Sequence, residues 1–213
     1  MKKLVVLCLC LISSVFTIQA QNSLAIRGGV NFASQTASMD GISLNYNDLT
    51  RFSGTLAFRA GLGSNFAIQP ELSYLQKGSS LEFMVFGETY TQQTNMNYLE
   101  IPILFVYQPV VKDNFDIGLF AGPSLGIGVA SEIEINGETE EIDWSDDEFS
   151  RTDFSLAFGA DAQFGVGSGK FVLDVRYVWG VSNIASDNAA EDIELTNSGI
   201  GVSVGYVFPF GGQ

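Results

Sequence analysis

Apolar residues alternate with polar or small residues in eight segments of this 213-residue chain. In the first segment, residues 24–32, the even positions are apolar or glycine, and the odd positions include Arg27 and Asn31. Successive side chains of a β-strand point to opposite faces, so this period of two predicts a strand with one apolar face. The other seven segments lie at residues 52–62, 66–74, 99–107, 115–127, 154–164, 171–181 and 200–210.

The links between these segments are alternately short and long. Short links at residues 63–65, 109–114 and 165–169 contain Gly, Pro, Asn or Ser, which favour turns. Long links lie at residues 34–50, 78–97, 130–151 and 183–196. Antiparallel strands of about 10 residues or slightly more, in even number, are typical of outer-membrane proteins. The pattern predicts an all-β fold, an eight-stranded antiparallel up-and-down transmembrane β-barrel with short periplasmic turns and long extracellular loops.

Two of the long links are expected to contain strand extensions that stand above the membrane. Asn136 and Gly137 lie between two alternating runs, and this dipeptide favours the type I′ turn of a tight hairpin. Residues 81–86, with a turn at Gly87, are a weaker second example.

A period of two does not say which face of the strands points outward. A membrane barrel has its apolar face outside, whereas a secreted lipocalin-like barrel that binds a small apolar ligand has it inside. The second face here is mainly Gly, Ala and Ser, which suits the crowded interior of a narrow barrel. Aromatic residues near strand ends also fit membrane girdles; they are Tyr74, Tyr107, Trp179, Tyr206 and Phe208. The membrane barrel is preferred, and the lipocalin-like barrel is the alternative.

The first 20 residues have the pattern of a secretory signal peptide. Lys2 and Lys3 precede an apolar run at residues 4–16, and cleavage is expected after Ala20. A transmembrane anchor needs about 20 apolar residues, more than this run contains. Both cysteines lie in this segment, so the barrel domain expected at residues 21–213 contains no disulfide. We expect export through the inner membrane to the cell outer membrane.

The composition excludes several functions. The chain has no histidine, which removes Ser-His-Asp and Cys-His catalysis and imidazole metal sites. A formal net charge of −14 argues against a nucleic-acid partner, since phosphate binding needs clustered Lys and Arg. The glycine-rich residues 165–170 complete neither a dinucleotide fingerprint nor a P-loop. We therefore expect no enzyme activity, no cofactor and no nucleic acid.

Charged residues on the inward face form the first candidate site. The strand directions place three arginines and three acids at similar heights in the periplasmic half; they are Arg27, Arg59, Arg176, Glu71, Asp161 and Asp174. The main interpretation is a structural salt-bridged layer that compensates buried charge. An ion path, or acid–base chemistry by Glu71 with Asp161, is the alternative. Eight strands leave room only for side chains, so an open general porin is not expected.

The four long links carry 17 acidic residues, with no Lys or Arg until Arg151 at a margin. The third link forms the second candidate site and contains Glu132, Glu134, Glu138, Glu140, Glu141, Asp143, Asp146, Asp147 and Glu148. The simplest interpretation is a solvated anionic rim. The alternatives are weak binding of a divalent cation, with residues 143–148 as the densest oxygen cluster, or capture of a basic protein. The spacing matches no calcium loop, so no metal ligand is assigned.

Five short sequence motifs occur in order along the chain: LAIRGGVNF at 24–32, IQPELSYLQKG at 68–78, YLEIPIL at 98–104, GPSLG at 122–126 and DVRYVWGVSNI at 174–184. Together they resemble the PorT-like outer-membrane β-barrel family of Bacteroidetes. The resemblance implies an outer-membrane barrel in contact with lipid, inserted by the barrel assembly machinery. It implies no defined activity. The expected role is structural, or a surface interaction through the acidic extracellular loops.

Overall fold

The computed structural model describes residues 22–39, 42–45, 47–112, 114–141, 144, 149–185 and 193–210. The signal peptide expected at residues 1–20 lies outside these described residues. So do Asp143, Asp146, Asp147 and Glu148 of the acidic link. The described residues contain no helix that is long and apolar enough to cross a membrane.

Ten strands contain most of the described residues. They are β1 (Asn22–Met39), β2 (Ile42–Asn45), β3 (Leu49–Gly61), β4 (Phe66–Val85), β5 (Glu88–Lys112), β6 (Phe115–Ile135), β7 (Glu138–Glu141), β8 (Thr152–Val166), β9 (Gly169–Gly180) and β10 (Ile193–Phe210). Eight form one antiparallel ring in the order β1-β3-β4-β5-β6-β8-β9-β10, and β10 pairs with β1 to close it. The predicted eight-stranded antiparallel barrel is confirmed. β2 and β7 are short additions that pair with β1 and β6.

The apolar face of the strands lies on the outside of the ring. Leu56, Phe158 and Val175, all near mid-strand, are 44%, 45% and 44% exposed. Their neighbours Ala57 and Ala157 point inward and are 2% exposed. An apolar outer wall around a small and polar interior is the arrangement of a membrane barrel. It is opposite to the apolar interior of a lipocalin-like barrel, so that alternative does not fit.

The two ends of the barrel differ. We call the end with the links at 62–65, Asn114 and 167–168 the short-turn end, and the opposite one the hairpin end. Aromatic pairs lie on the outer wall at the short-turn end, with ring centroids 4.8–5.8 Å apart: Phe66 with Tyr107, Phe115 with Phe164, Phe58 with Phe210, and Tyr206 with Phe208. These rings occupy the position of an interfacial girdle.

The hairpin end contains more strand than the sequence predicts. The link expected at 78–97 is almost entirely β4 and β5, which are joined only by Phe86 and Gly87. These two residues have φ angles of 51° and 87°, as in the other tight turn at Asn136 (52°) and Gly137 (89°). Both backbones match a type I′ turn. The β4–β5 hairpin was expected to be the weaker of the two, because Phe-Gly is a poorer turn signal than Asn-Gly. It is the longer one, since β4 and β5 remain paired up to the turn.

Candidate functional site

Four charged side chains form a closed ionic ring inside the barrel. Arg27 of β1 pairs with Glu71 of β4 and with Asp174 of β9. Arg176 of β9 pairs with the same acids, its Nη1 lying 2.8 Å from Glu71 Oε2 and its Nε 2.8 Å from Asp174 Oδ1. Residues two apart on a strand share a face, so Asp174 and Arg176 point inward together. Two cations thus compensate two buried carboxylates.

Arg59 and Asp161 extend this ring into a larger network. Arg59 Nη2 lies 2.7 Å from Asp161 Oδ2. Gln69 accepts a hydrogen bond from Arg59 Nε at 2.5 Å and donates one to Glu71 Oε1 at 2.6 Å. The structure therefore brings together all six residues of the first candidate site, with Gln69 as the connection that the sequence analysis missed. Glu71 and Asp161 pair with different arginines.

A second buried ionic cluster lies nearer the hairpin end, and the sequence analysis missed it. Lys77 Nζ lies 2.5 Å from Glu100 Oε1 and 2.9 Å from Asp153 Oδ2. Asn197 donates a hydrogen bond of 2.9 Å to Asp153, and Lys77 lies 5.1 Å from the centre of the Tyr98 ring. Continuing the inward parity of β4 past Glu71 would have reached Lys77. Glu100 lies on the polar face of the strand predicted at 99–107, and Asp153 directly precedes the strand predicted at 154–164, so the same parity would have placed both partners inside.

An apolar cap lies above this cluster at the hairpin end. Met96, Tyr98 and Ile184 are fully buried there, and Trp144, Phe149 and Leu195 pack against them. The Trp144 ring meets Tyr98 edge-on at 5.9 Å. It also lies beside Gly128, where a Cβ atom would come within 2.4 Å of the indole. Only glycine at that position leaves room for the tryptophan.

The interior between the clusters is nearly filled. An enclosed cavity of about 30 Å³ lies beside Asn31, Glu100 and Arg176, and another of about 10 Å³ lies beside Arg27 and Arg59. A cavity needs roughly 10–15 Å³ to hold a water, so each has room for very few. A bowl of about 600 Å³ opens at the short-turn end, where Lys170 Nζ pairs with Asp116 at 2.6 Å. Ionic side chains therefore block the described part of the lumen.

The acidic link becomes a hairpin in the structure. Glu132 and Glu134 lie on β6, and Glu138, Glu140 and Glu141 lie on β7. All four residues of β7 are exposed, and Glu132 is opposite Glu141 across the pair. The described residues contain no group of three or more His, Cys, Asp or Glu side chains placed to hold a metal ion.

The sequence of this barrel matches a family model described as an outer membrane protein beta-barrel domain, over residues 19–186. The chain belongs to the outer membrane protein β-barrel family. The family match ends before β10, and the structure shows that β10 is the strand that closes the ring on β1. Membership of this family places the protein in the cell outer membrane.

Solved structures of outer-membrane proteins have a similar fold. A major outer membrane protein from Thermus thermophilus covers 90% of this chain and 99% of its own at 10% identity, with a TM-score of 0.56. The match to the outer membrane protease OmpT from Escherichia coli covers 89% of this chain and 97% of the OmpT chain at 11% identity, with a TM-score of 0.50. The match to the attachment invasion locus protein Ail of Yersinia pestis covers 90% of this chain and 100% of the Ail chain at 19% identity, with a TM-score of 0.41. No curated protein matches the chain. At these identities the first two likenesses support the barrel fold only.

Calcium is expected to bind weakly and without a defined stoichiometry. The register of β6 and β7 divides the acids of the hairpin between two faces, with Glu132, Glu134 and Glu141 on one and Glu138 and Glu140 on the other. Residues 143–148 lack calcium-loop spacing. Isothermal titration calorimetry of the detergent-solubilised protein should show no saturable site. A variant with Asp146→Asn, Asp147→Asn and Glu148→Gln is the control. A stoichiometric isotherm that this variant loses would contradict the expectation.

Proposed function

We propose that this protein is a non-conducting outer-membrane barrel that displays an acidic, hairpin-rich surface outside the cell, with a structural or surface-interaction role. The observation that carries the proposal is the lumen closed by paired charges. Arg27, Glu71, Asp174 and Arg176 fill one level, and Lys77, Glu100 and Asp153 fill another. Each charged side chain is paired with at least one opposite charge, which favours a rigid plug over a path for ions.

The orientation follows from the lengths of the links. Outer-membrane barrels have short periplasmic turns and longer extracellular loops, so the hairpin end is assigned to the exterior. The acids of the extracellular hairpins are Glu82, Glu88, Glu132, Glu134, Glu138, Glu140 and Glu141. Residues 78–97 and 130–141 contain no Lys or Arg. The resulting negative potential would attract cationic partners, including divalent cations held weakly, and repel anionic polymers.

Catalysis is not part of this proposal. The carboxylates nearest to an acid–base pair, Glu71 and Asp161, are buried and held by separate arginines. A general acid or base must be within reach of a substrate, and the cavities beside the arginines that hold these carboxylates have room for very few waters. The partners that we propose are outer-membrane lipid around the wall, the barrel assembly machinery during insertion, and a basic protein at the surface.

A finer family assignment is also proposed. The five segments that resemble the PorT-like family lie on β1, β4, β5, β6 and β9, and β9 is the strand that carries Asp174 and Arg176. The motifs therefore include residues of the ionic network, which supports a shared interior as well as a shared wall. The proposal does not extend to protein secretion.

The reconstituted protein is expected to show no steady ion conductance in planar lipid bilayers, because paired charges and Trp144 block the lumen. Folded material is identified first by a gel mobility that changes on boiling, since a closed barrel resists detergent. A general porin in the same bilayer is the positive control. Stable unitary currents from the folded wild-type protein would contradict the proposed function.

A further inference from the structure

Four strands continue past the barrel wall at the hairpin end and form one sheet. β4 pairs with β5 from Ser79 opposite Thr94 to Val85 opposite Glu88. β5 pairs with β6 from Gln92 opposite Ile135 to Asn97 opposite Ala130, and β6 pairs with β7. We call these paired residues the extracellular sheet. Its two outer edges are residues 81–85 of β4 and the whole of β7.

The two edges have opposite character. β7 has the sequence ETEE, and charged side chains on an edge discourage pairing with another strand. The β4 edge has the sequence LEFMV. Leu81, Phe83 and Met84 are 42%, 37% and 72% exposed there, and Phe86 at the turn is wholly exposed. A long apolar edge is what soluble surfaces usually avoid, so its presence here points to a partner.

The backbone of the β4 edge is open to a further strand. Ser80 exchanges two hydrogen bonds of 3.0 Å with Asn47 on the side away from β5. Backbone groups of alternate residues point the same way, so Glu82 and Met84 also direct their N–H and C=O groups away from β5. In the described part of the chain no strand pairs with residues 81–85 on that side. An extended segment added there would continue the ladder.

The charge of the extracellular sheet selects among possible occupants. Glu82 lies on the edge itself, Glu88 follows the turn, and β6 and β7 add further acids. No Lys or Arg occurs within residues 78–97 or 130–141, and Arg51 of β3 reaches only the base of the sheet, where it donates to Gln93 and Asn95. A second copy of the chain would bring the carboxylates beside the β4 edge against one another, and like charges across an interface are unfavourable. An extended segment with lysine or arginine is the complementary partner.

We propose that residues 81–85 of β4 bind an extended, positively charged segment of another protein by strand addition. Backbone hydrogen bonds to Glu82 and Met84 supply the register, and Leu81, Phe83 and Met84 contact apolar side chains of the incoming strand. Cationic side chains of that strand face the acids of the sheet. This inference rests on the proposed surface-interaction function and specifies its site and partner class.

The test uses the full mature protein in vesicles of zwitterionic phosphatidylcholine, which do not attract cationic peptides. The probe is a short fluorescent peptide in which Lys alternates with Val and Thr, and anisotropy reports its binding. Two control peptides have Glu in place of Lys, or Pro in place of Val. The Lys peptide is expected to bind in a salt-dependent manner. The Glu peptide should not bind because of its charge, nor the Pro peptide because it cannot complete a ladder.

The decisive variant is Met84→Pro. It removes an outward N–H from the edge, whereas the bonds to β5 come from Leu81, Phe83 and Val85, so the hairpin should remain intact. The matched control is Thr139→Pro, which removes an outward N–H from the acidic edge on β7. We expect Met84→Pro to weaken binding of the Lys peptide by about tenfold or more. Thr139→Pro should leave the affinity within about twofold.

The other outcomes are separable. The Lys peptide could bind in a salt-dependent manner with an affinity that neither Met84→Pro nor proline in the peptide changes. That result would overturn strand addition but would still support an interaction through the acidic surface. If the Lys peptide does not bind, or if its affinity is unchanged by Glu82→Gln together with Glu88→Gln, the proposed surface interaction itself would be contradicted. A dimer of the purified protein that Met84→Pro dissociates would assign the edge to a second copy and overturn the inference.

Discussion

Replacing Glu71 with alanine is expected to lower the free energy of unfolding by about 3–5 kcal/mol, the typical loss when one partner of a buried ion pair is removed. The side chains of Arg27 and Arg176 are only 2% and 13% exposed and would share Asp174 as their remaining acid. An uncompensated guanidinium in the lumen has little access to water. Urea titration of the barrel in lipid vesicles, followed by tryptophan fluorescence and gel mobility, measures the loss.

Asp116→Ala is the matched control for this prediction. Like Glu71→Ala, it removes a carboxylate from an ion pair, here the pair with Lys170. The Lys170 side chain, however, is 20% exposed and borders the open bowl at the short-turn end. Because that ammonium can turn toward solvent, the loss should be about 1 kcal/mol or less. Equal losses in the two variants would mean that water reaches Arg27 and Arg176, and the lumen would not be the closed plug described above.

Replacing Leu56 with arginine is expected to cost about 2–4 kcal/mol and to reduce assembly in the outer membrane. Leu56 lies near the middle of β3 on the apolar outer wall and is 44% exposed in the isolated chain. In a membrane that surface contacts lipid, where the guanidinium loses its hydration. Phe158→Arg and Val175→Arg should behave alike, since these residues share the same wall. The measurement is unfolding free energy together with the amount of folded protein in outer-membrane fractions.

Met84→Arg is the control on the same outer surface. Met84 is 72% exposed, more than Leu56, but it lies on the hairpin beyond the apolar band, where arginine stays in water. It should change stability by no more than about 0.5 kcal/mol. Arginine at Ala57 is a second comparison, because that residue is buried and the change would act through crowding of the lumen. Normal assembly of Leu56→Arg would contradict the orientation of the wall.

The barrel could be predicted because its signal is local. Each strand repeats the same alternation, and a strand that separates lipid from a packed lumen has no other way to satisfy both faces. The inward position of Arg27, Arg59 and Arg176 follows from the same parity. The tight turn at Asn136 and Gly137 could also be predicted from the sequence, since both residues favour the positive φ that they adopt.

The interior pairing and the surface edge depend on the tertiary structure. Lys77 meets Asp153 across a separation of 76 residues, and Arg27 meets Asp174 across 147, contacts that only ring closure and register create. The bridge by Gln69 depends on the relative heights of β3 and β4. Strand ends are also set by pairing: the sequence predicts a long link at 78–97 with only a weak strand extension at 81–86, yet nearly the whole segment continues the ladder of β4 and β5. The sequence by itself determined the faces of the strands, because alternation is a property of one strand. Which charges meet, and which edge stays open, was decided by neighbours that are distant in the chain.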